Sequence, residues 1–172
     1  AGNVFRWTGT SWAALPGIES DDVLVLTSDR TGKLYAGGRF TNRVAWWDGV
    51  NSWSTLGGGI ADGEVNALIV DSKGNLYAGG SFTTAEGSPA DYLAKWDGAA
   101  WSALAGGPNG PVKTLGVDTA DHLYAAGAFT VPGSNIAKWD GSAWTELGDG
   151  TNNQVNALAI NNTSGDLYAG GM

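Results

Sequence analysis

One string constrains this chain more than any other. Leu34-Tyr35-Ala36-Gly37-Gly38 returns as Leu76-Tyr77-Ala78-Gly79-Gly80, as Leu123-Tyr124-Ala125-Ala126-Gly127 and as Leu167-Tyr168-Ala169-Gly170-Gly171. The tyrosines are therefore 42, 47 and 44 residues apart. A second string keeps the same period: Trp47-Asp48-Gly49 with Trp53, Trp96-Asp97-Gly98 with Trp101, and Trp139-Asp140-Gly141 with Trp144, with Trp7-Thr8-Gly9 and Trp12 as a degenerate first copy. A fixed period of this length means a repeat architecture, in which each unit buries its apolar face only against its neighbours.

Within a repeat, turn signals separate four strand-like runs. In the second, Val65 to Val70 is apolar and β-branched, and Asp71 to Asn75 is a polar turn containing Gly. Leu76 to Phe82 follows, then a variable loop to Leu93-Ala94-Lys95-Trp96, a tight Asp97-Gly98 hairpin, and Trp101 to Leu104. Four strands in ~43 residues is the arithmetic of a propeller blade. The expectation is an all-β fold, one β-propeller domain over residues 1–172 with four such repeats. Small residues in Ala-Gly-Gly let neighbouring blades crowd together, and paired Trp rings fill the space where the outer strands splay.

Composition closes other routes. Glycine supplies 28 of 172 residues, yet without a Gly-X-Y period, so collagen is excluded. That much Gly in helices would cost roughly 1 kcal/mol per residue relative to Ala. A hydrophobic fraction of 42% argues against disorder. The net charge of −8 repels phosphate backbones, so no nucleic-acid partner is expected. No apolar run is long enough for a membrane span. Residues 1–7 lack the regions of a signal peptide, so either none existed or it has been removed. With no Cys, thiolate chemistry and disulfides are absent.

The chain starts late in one repeat and stops early in another. Val4 to Thr8 and Ser11 to Leu15 read as two outer strands, and Val155 to Ile160 and Asp166 to Met172 as two inner ones. The last blade is therefore expected to be shared between N-terminal and C-terminal strands, with residues near 1 and near 172 in one sheet, a closure that protects exposed edges. Two arrangements satisfy it. Four blades close within one chain, or two chains exchange ends as a homodimer and form an eight-bladed ring.

Gly79-Gly80-Ser81-Phe82-Thr83, followed by Leu93 to Gly98, Trp101-Ser102 and Val112 beyond a Gly-Gly, resembles the propeller repeats of the fungal cortical polarity marker family. It is similar also to kelch-like or NHL-like blades of bacterial secreted proteins. The resemblance implies a non-enzymatic propeller at the cell surface or outside the cell, used for adhesion or scaffolding, with no catalytic residue set.

The residues themselves offer no catalytic constellation and no cofactor motif. The single His122 falls in a turn equivalent to Lys33, Asn75 and Asp166, and reads as a solvated turn residue. Turns such as Asp29 to Gly32 and Asp71 to Gly74 carry too few carboxylates for the six to eight oxygens calcium takes, so no metal is expected. Positions where the repeats disagree are the candidates for binding. Before the first Trp of each pair stand Arg6, Trp46, Lys95 and Lys138; on the first strand, Leu24, Asn66, Lys113 and Asn156 are equivalent. The expected partner is a glycan or protein ligand held at Trp46, Arg6, Lys95, Lys138, Asn66, Lys113 and Asn156 or by loops such as Thr83 to Tyr92. The alternative is a self-assembling propeller with no small-molecule ligand.

Overall fold

The structure, a computed structural model, describes residues 4–18 and 22–172. Strands β1 (Val4–Trp7) and β2 (Trp12–Leu15) form a hairpin. The first complete blade is the antiparallel sheet β3 (Val23–Ser28), β4 (Leu34–Gly38), β5 (Val44–Trp47) and β6 (Trp53–Thr55), in sequence order. The second contains β7 (Val65–Val70) and β8 (Leu76–Gly80); after a small side hairpin, β9 (Thr84–Ala85) and β10 (Ser88–Pro89), it continues with β11 (Leu93–Trp96) and β12 (Trp101–Ala103). The third is β13 (Val112–Val117), β14 (Leu123–Gly127), β15 (Ile136–Trp139) and β16 (Trp144–Glu146). A final hairpin joins β17 (Val155–Ile160) to β18 (Leu167–Gly171). The fold is thus the all-β propeller architecture that the repeats call for.

Each turn forms because its residues allow it. The hairpin glycines Gly49, Gly98 and Gly141 have φ of 85, 101 and 102°, a region that costs other residues strain. Beside each, an aspartate Oδ1 accepts backbone N–H groups: Asp48 from Val50 at 2.8 Å, Asp97 from Ala99 at 2.9 Å and Asp140 from Ser142 at 2.8 Å. In the degenerate first hairpin Thr8 takes over, its Oγ1 accepting the Ser11 N–H at 3.2 Å.

The first strands of successive blades lie against one another, β3 on β7, β7 on β13 and β13 on β17. Apolar clusters fill the gaps. Tyr35, Val44 and Leu56 of the first blade meet Val65, Leu68 and Ala78 of the second, and Ala67, Tyr77 and Leu93 meet Val112, Leu115 and Ala125 of the third. The Ala-Gly-Gly positions sit at the closest approach. A Cβ on Gly37 would lie 2.6 Å from Val65 Cγ1, and one on Gly79 2.5 Å from Val112 Cγ1.

The four tryptophan pairs are cross-strand partners with ring centroids 5.4 to 5.6 Å apart. Trp47 and Trp101 are buried; Trp7 and Trp12 are exposed. Trp101 also donates its Nε1–H to the Leu56 carbonyl of the preceding blade at 2.8 Å.

One expectation is corrected. Within a single chain the two half-blades do not share a sheet: β1–β2 and β17–β18 are separate two-stranded sheets. The reason is their place in the succession. β1–β2 packs through Val4 and Leu15 on Trp47 of the first blade, and β17–β18 packs through Val155, Leu158 and Leu167 on Ala126 and Ile136 of the third. Three blades stand between them, and residues 1–3 lie outside the described region.

Gly79→Ala tests the close approach. Forcing a methyl against the fully buried Val112 is expected to cost about 1–3 kcal/mol, read as a lower midpoint in chemical denaturation; an unchanged midpoint would show that the blades can separate freely.

Candidate functional site

In the three complete blades the turn after the first strand is organised by one acidic side chain; after β17 the amide oxygen of Asn161 takes its place. Asp29 Oδ1 accepts the N–H groups of Thr31 and Lys33 at 2.8 and 3.0 Å, Asp71 those of Lys73 and Asn75 at 2.9 Å each, and Asp118 those of Ala120 and His122 at 2.9 Å each. The other oxygen accepts a tyrosine hydroxyl: Tyr35 at 3.4 Å, Tyr77 at 3.3 Å and Tyr124 at 3.1 Å. Desolvation opposes ionisation of Asp29 and Asp118, but these donors outweigh it and hold both below the usual range. Burial, with Asp71 alongside, pushes the Tyr77 phenol strongly up. The carboxylates are thus occupied as turn acceptors. Among the described residues no group of three or more His, Cys, Asp or Glu is placed to hold a metal ion. His122 lies in its turn as expected, part-buried rather than freely solvated, with Nδ1 2.8 Å from Asp118 Oδ2.

The singled-out positions fall into two registers. Trp46, Lys95 and Lys138 lie on the third strands, each opposite the repeat tyrosine: Tyr35 with Trp46, Tyr77 with Lys95, Tyr124 with Lys138. Arg6 is exposed and faces only Ala13 across its hairpin. These four side chains stand on separate blades and do not converge on one pocket.

Leu24, Asn66, Lys113 and Asn156 share a different geometry. In every blade the ladder between first and second strands shifts register at this residue, between Val23 and Val25, Val65 and Ala67, Val112 and Thr114, and Val155 and Ala157. Each is the extra residue of a β-bulge, released from the pairing that fixes its neighbours. Asn66 is half-buried, its Nδ2 without a hydrogen-bond partner, and Asn156 is exposed, accepting a bond from Gln154 Nε2.

Trp46 lines a cleft of about 260 Å³ between the first two blades. Lys33, Tyr35 and Trp46 form one wall, and Gly74, Trp96 and Gly98 the other. Trp46 is half-buried and packs on the cluster joining these blades. Lys33, which the repeat comparison had left as an ordinary turn residue, completes the site: its Nζ lies 3.8 Å from the Trp46 ring centroid and 5.4 Å from that of Tyr35. The signal was present in sequence. Lysine stands at the turn position held by Asn75 and His122 in the repeat whose third strand has lost its lysine. In the third blade Lys138 keeps the usual place, with Nζ 5.8 Å from the Tyr124 ring.

A second cleft of about 530 Å³ lies at the junction of the second and third blades, lined by Pro89, Tyr92, Leu104 and Asn109. Loops anchored by acceptors border it. Asp62 Oδ1 takes the N–H groups of Thr83 and Thr84 at 3.0 Å each, and Asn109 Oδ1 those of Thr130 and Val131 at 2.9 and 3.1 Å. The tip of the β9–β10 hairpin is pinned by Glu86, whose carboxylate accepts the N–H groups of Gly58 and Trp101.

Successive four-stranded antiparallel blades, packed by their first strands and cleft between neighbours, define a β-propeller. The sequence matches the family model of the Rax2 C-terminal beta propeller domain over residues 13–155, and the chain belongs to that family. No curated protein matches it significantly.

Of the lowered carboxylates, Asp48, Asp62 and Asp140 are shifted furthest. Ser52 and the Asp48 turn amides lower Asp48 to about 2, and the amides of Ala143 and Ser142 do the same for Asp140. Desolvation opposes the shift at Asp62, but its bonds from Thr83 and Thr84 outweigh it and bring the value to about 2. Each therefore contributes stability that is complete above the ordinary value near 3.8 and is lost as pH falls towards about 2. Thermal melts should show Tm falling over that window, with a shallower fall in Asp62→Asn; a Tm independent of pH there would contradict the assignment.

Proposed function

We propose that this chain is a non-catalytic binding module whose ligand is a glycan taken in the cleft between the first two blades, stacked on Trp46. The observation that carries the reading is the departure of this blade from its neighbours. Blades two and three satisfy the third-strand position with Lys95 and Lys138, so packing does not demand an aromatic there. Trp46 adds a large apolar face with a polar edge at a cleft wall, a combination suited to stacking on a sugar ring.

Lys33 acts as a cover. An ammonium over an exposed aromatic is held by roughly 0.5–1 kcal/mol, weak enough for a ligand to displace it. Once displaced, its three N–H donors are free for hydroxyl or carboxylate oxygens. Tyr35 and Trp96 bound the space on either side. No step in this reading requires a nucleophile or a cofactor, and display at the cell surface or outside the cell belongs to the same proposal, on the strength of the family likeness.

Trp46→Lys is the decisive variant because it writes the sequence of the other blades into the first. A glycan array followed by fluorescence titration should identify a ligand whose affinity falls about tenfold or more in Trp46→Lys, while the circular dichroism spectrum keeps its β signature; Tm falls as well, because half-buried Trp46 packs on the cluster joining the blades. An array without hits, or equal binding by Trp46→Lys, would overturn the reading.

A further inference from the structure

The loop that leaves the second blade lacks a bond that its equivalents make. In the first blade the chain turns after β6 with the Gly59 N–H donating to the Leu56 carbonyl at 3.0 Å, and the next residue, Ile60, donates its N–H to the Asn42 carbonyl at 3.0 Å. In the third, Gly150 donates to Leu147 at 3.1 Å and Thr151 to the Ser134 carbonyl at 3.0 Å. The second bond of each pair staples the outgoing loop to the loop between second and third strands. In the second blade Gly107 donates to Leu104 at 3.1 Å as its equivalents do, but the residue that follows is Pro108, which has no N–H to give.

The acceptor is nevertheless in place. Tyr92 N–H donates to the Phe82 carbonyl and Gly80 N–H to the Tyr92 carbonyl, the pair of bonds that Arg43 makes with Phe40 and Gly38, and Asn135 with Phe129 and Gly127. Arg43, Tyr92 and Asn135 share φ of 56, 63 and 64°. Asp91 therefore stands where Asn42 and Ser134 stand, and among the described residues its carbonyl receives no N–H. The two loops also stay apart. A Cβ on Gly59 would lie 2.7 Å from Asn42 Cβ, and one on Gly150 would strike the Ser134 carbonyl oxygen; one on Gly107 has Leu104 and Trp144 as its nearest neighbours, not Asp91.

The space between them is the cleft of about 530 Å³, bounded by Asp91 and Tyr92 on one side and residues 103–109 on the other. Three of its lining residues, Leu93, Leu104 and Pro108, are buried and apolar. Its one charge is the exposed carboxylate of Asp91, which makes no hydrogen bond or ion pair among the described residues. We infer that this cleft is a second ligand site, independent of Trp46, and that it takes a guanidinium on an aliphatic stem, the side chain of an arginine in a partner protein. The blade that holds it is complete and has a neighbour against β7 on each side, so the opening follows from Pro108 rather than from a missing strand.

Asp91 offers two kinds of acceptor, a carboxylate and a carbonyl, and a single ligand group must bring donors for both. A guanidinium carries five N–H donors in a fixed fork and no acceptor, enough to serve the carboxylate through two of them and still reach the carbonyl. An ammonium is a more strongly hydrated point charge and loses more on leaving water. The methylenes of the stem cover Leu93, Leu104 and Pro108. Tyr92, half-buried in the cleft wall, adds an aromatic side chain of the kind on which guanidinium groups stack. The net charge of −8 draws a cationic partner towards the site.

Acetyl-arginine methylamide titrated into the 172-residue chain should shift the amide NMR signals of residues 91–93 and 104–107 and saturate, with a Kd in the millimolar range. Asp91→Asn should weaken it about tenfold, and Trp46→Lys should leave it unchanged, which keeps the outcome apart from that of the glycan cleft. Pro108→Ile writes the residue of the first blade into the second. Its N–H should bond the Asp91 carbonyl, exchange slowly with solvent and close the cleft, so that Tm is kept or raised while the probe no longer binds. No saturable shift, equal binding of the lysine analogue, or binding that survives Asp91→Asn or Pro108→Ile overturns the assignment. Tighter binding of free arginine than of the blocked form would make the ligand a small molecule and overturn the partner protein.

Discussion

The contact on which the structure rests is that of a small residue on the second strand of one blade with a branched apolar pair on the first strand of the next. Gly37 receives Val65 and Leu68, Gly79 receives Val112 and Leu115, and Ala126 clusters with Val155 and Leu158. Without a larger side chain on the receiving strand, the two sheets approach closely enough for Val and Leu to be desolvated on every side. Burying such a side chain contributes about 1.5–3 kcal/mol, and the contact recurs at each joint between complete blades. The bulge one residue after the valine follows from the same demand. It breaks the ladder beside the tight joint, and its extra residue, Leu24, Asn66, Lys113 or Asn156, is freed from pairing. That freedom is why this position varies in chemical type from repeat to repeat.

Further out the blades diverge, and polar turns and aromatic pairs replace close packing. The Asp-Gly hairpins and the first-strand aspartates satisfy backbone donors that packing leaves unpaired. Here the structure demands interaction types rather than fixed residues. A cation lies over the repeat tyrosine in the first and third blades, but it comes from Lys33 of the turn in the first and from Lys138 of the third strand in the third. In the first blade the charge stands in the turn, and Trp46 occupies the third-strand position opposite Tyr35.

Strand order within a blade and the hairpin turns were legible because repetition states them several times. Three copies of Trp-Asp-Gly and four of Leu-Tyr-Ala leave little freedom in register. What stayed hidden depends on contacts that occur once or across elements. Lys33 reads as a turn residue until its ammonium is seen over Trp46. Glu86 reads as a loop charge until it caps amides of two other segments. The bulge is invisible because its residue looks like any other alternating strand position. The two ends read as complementary halves of one blade, but similarity in sequence does not bring strands together: β1–β2 and β17–β18 form separate two-stranded sheets.

The surroundings of the candidate binding residues differ in the same way. Arg6, Trp46, Lys95 and Lys138 look alike in sequence as departures near the tryptophans, yet the complete blades show the lysines opposite a tyrosine, a packing role. Arg6 has the same chemistry and the same register but no tyrosine, since β1 has no second strand beside it. Trp46 differs from both: it packs on the cluster joining two blades and also adds an aromatic face to a cleft wall, where the proposed site lies.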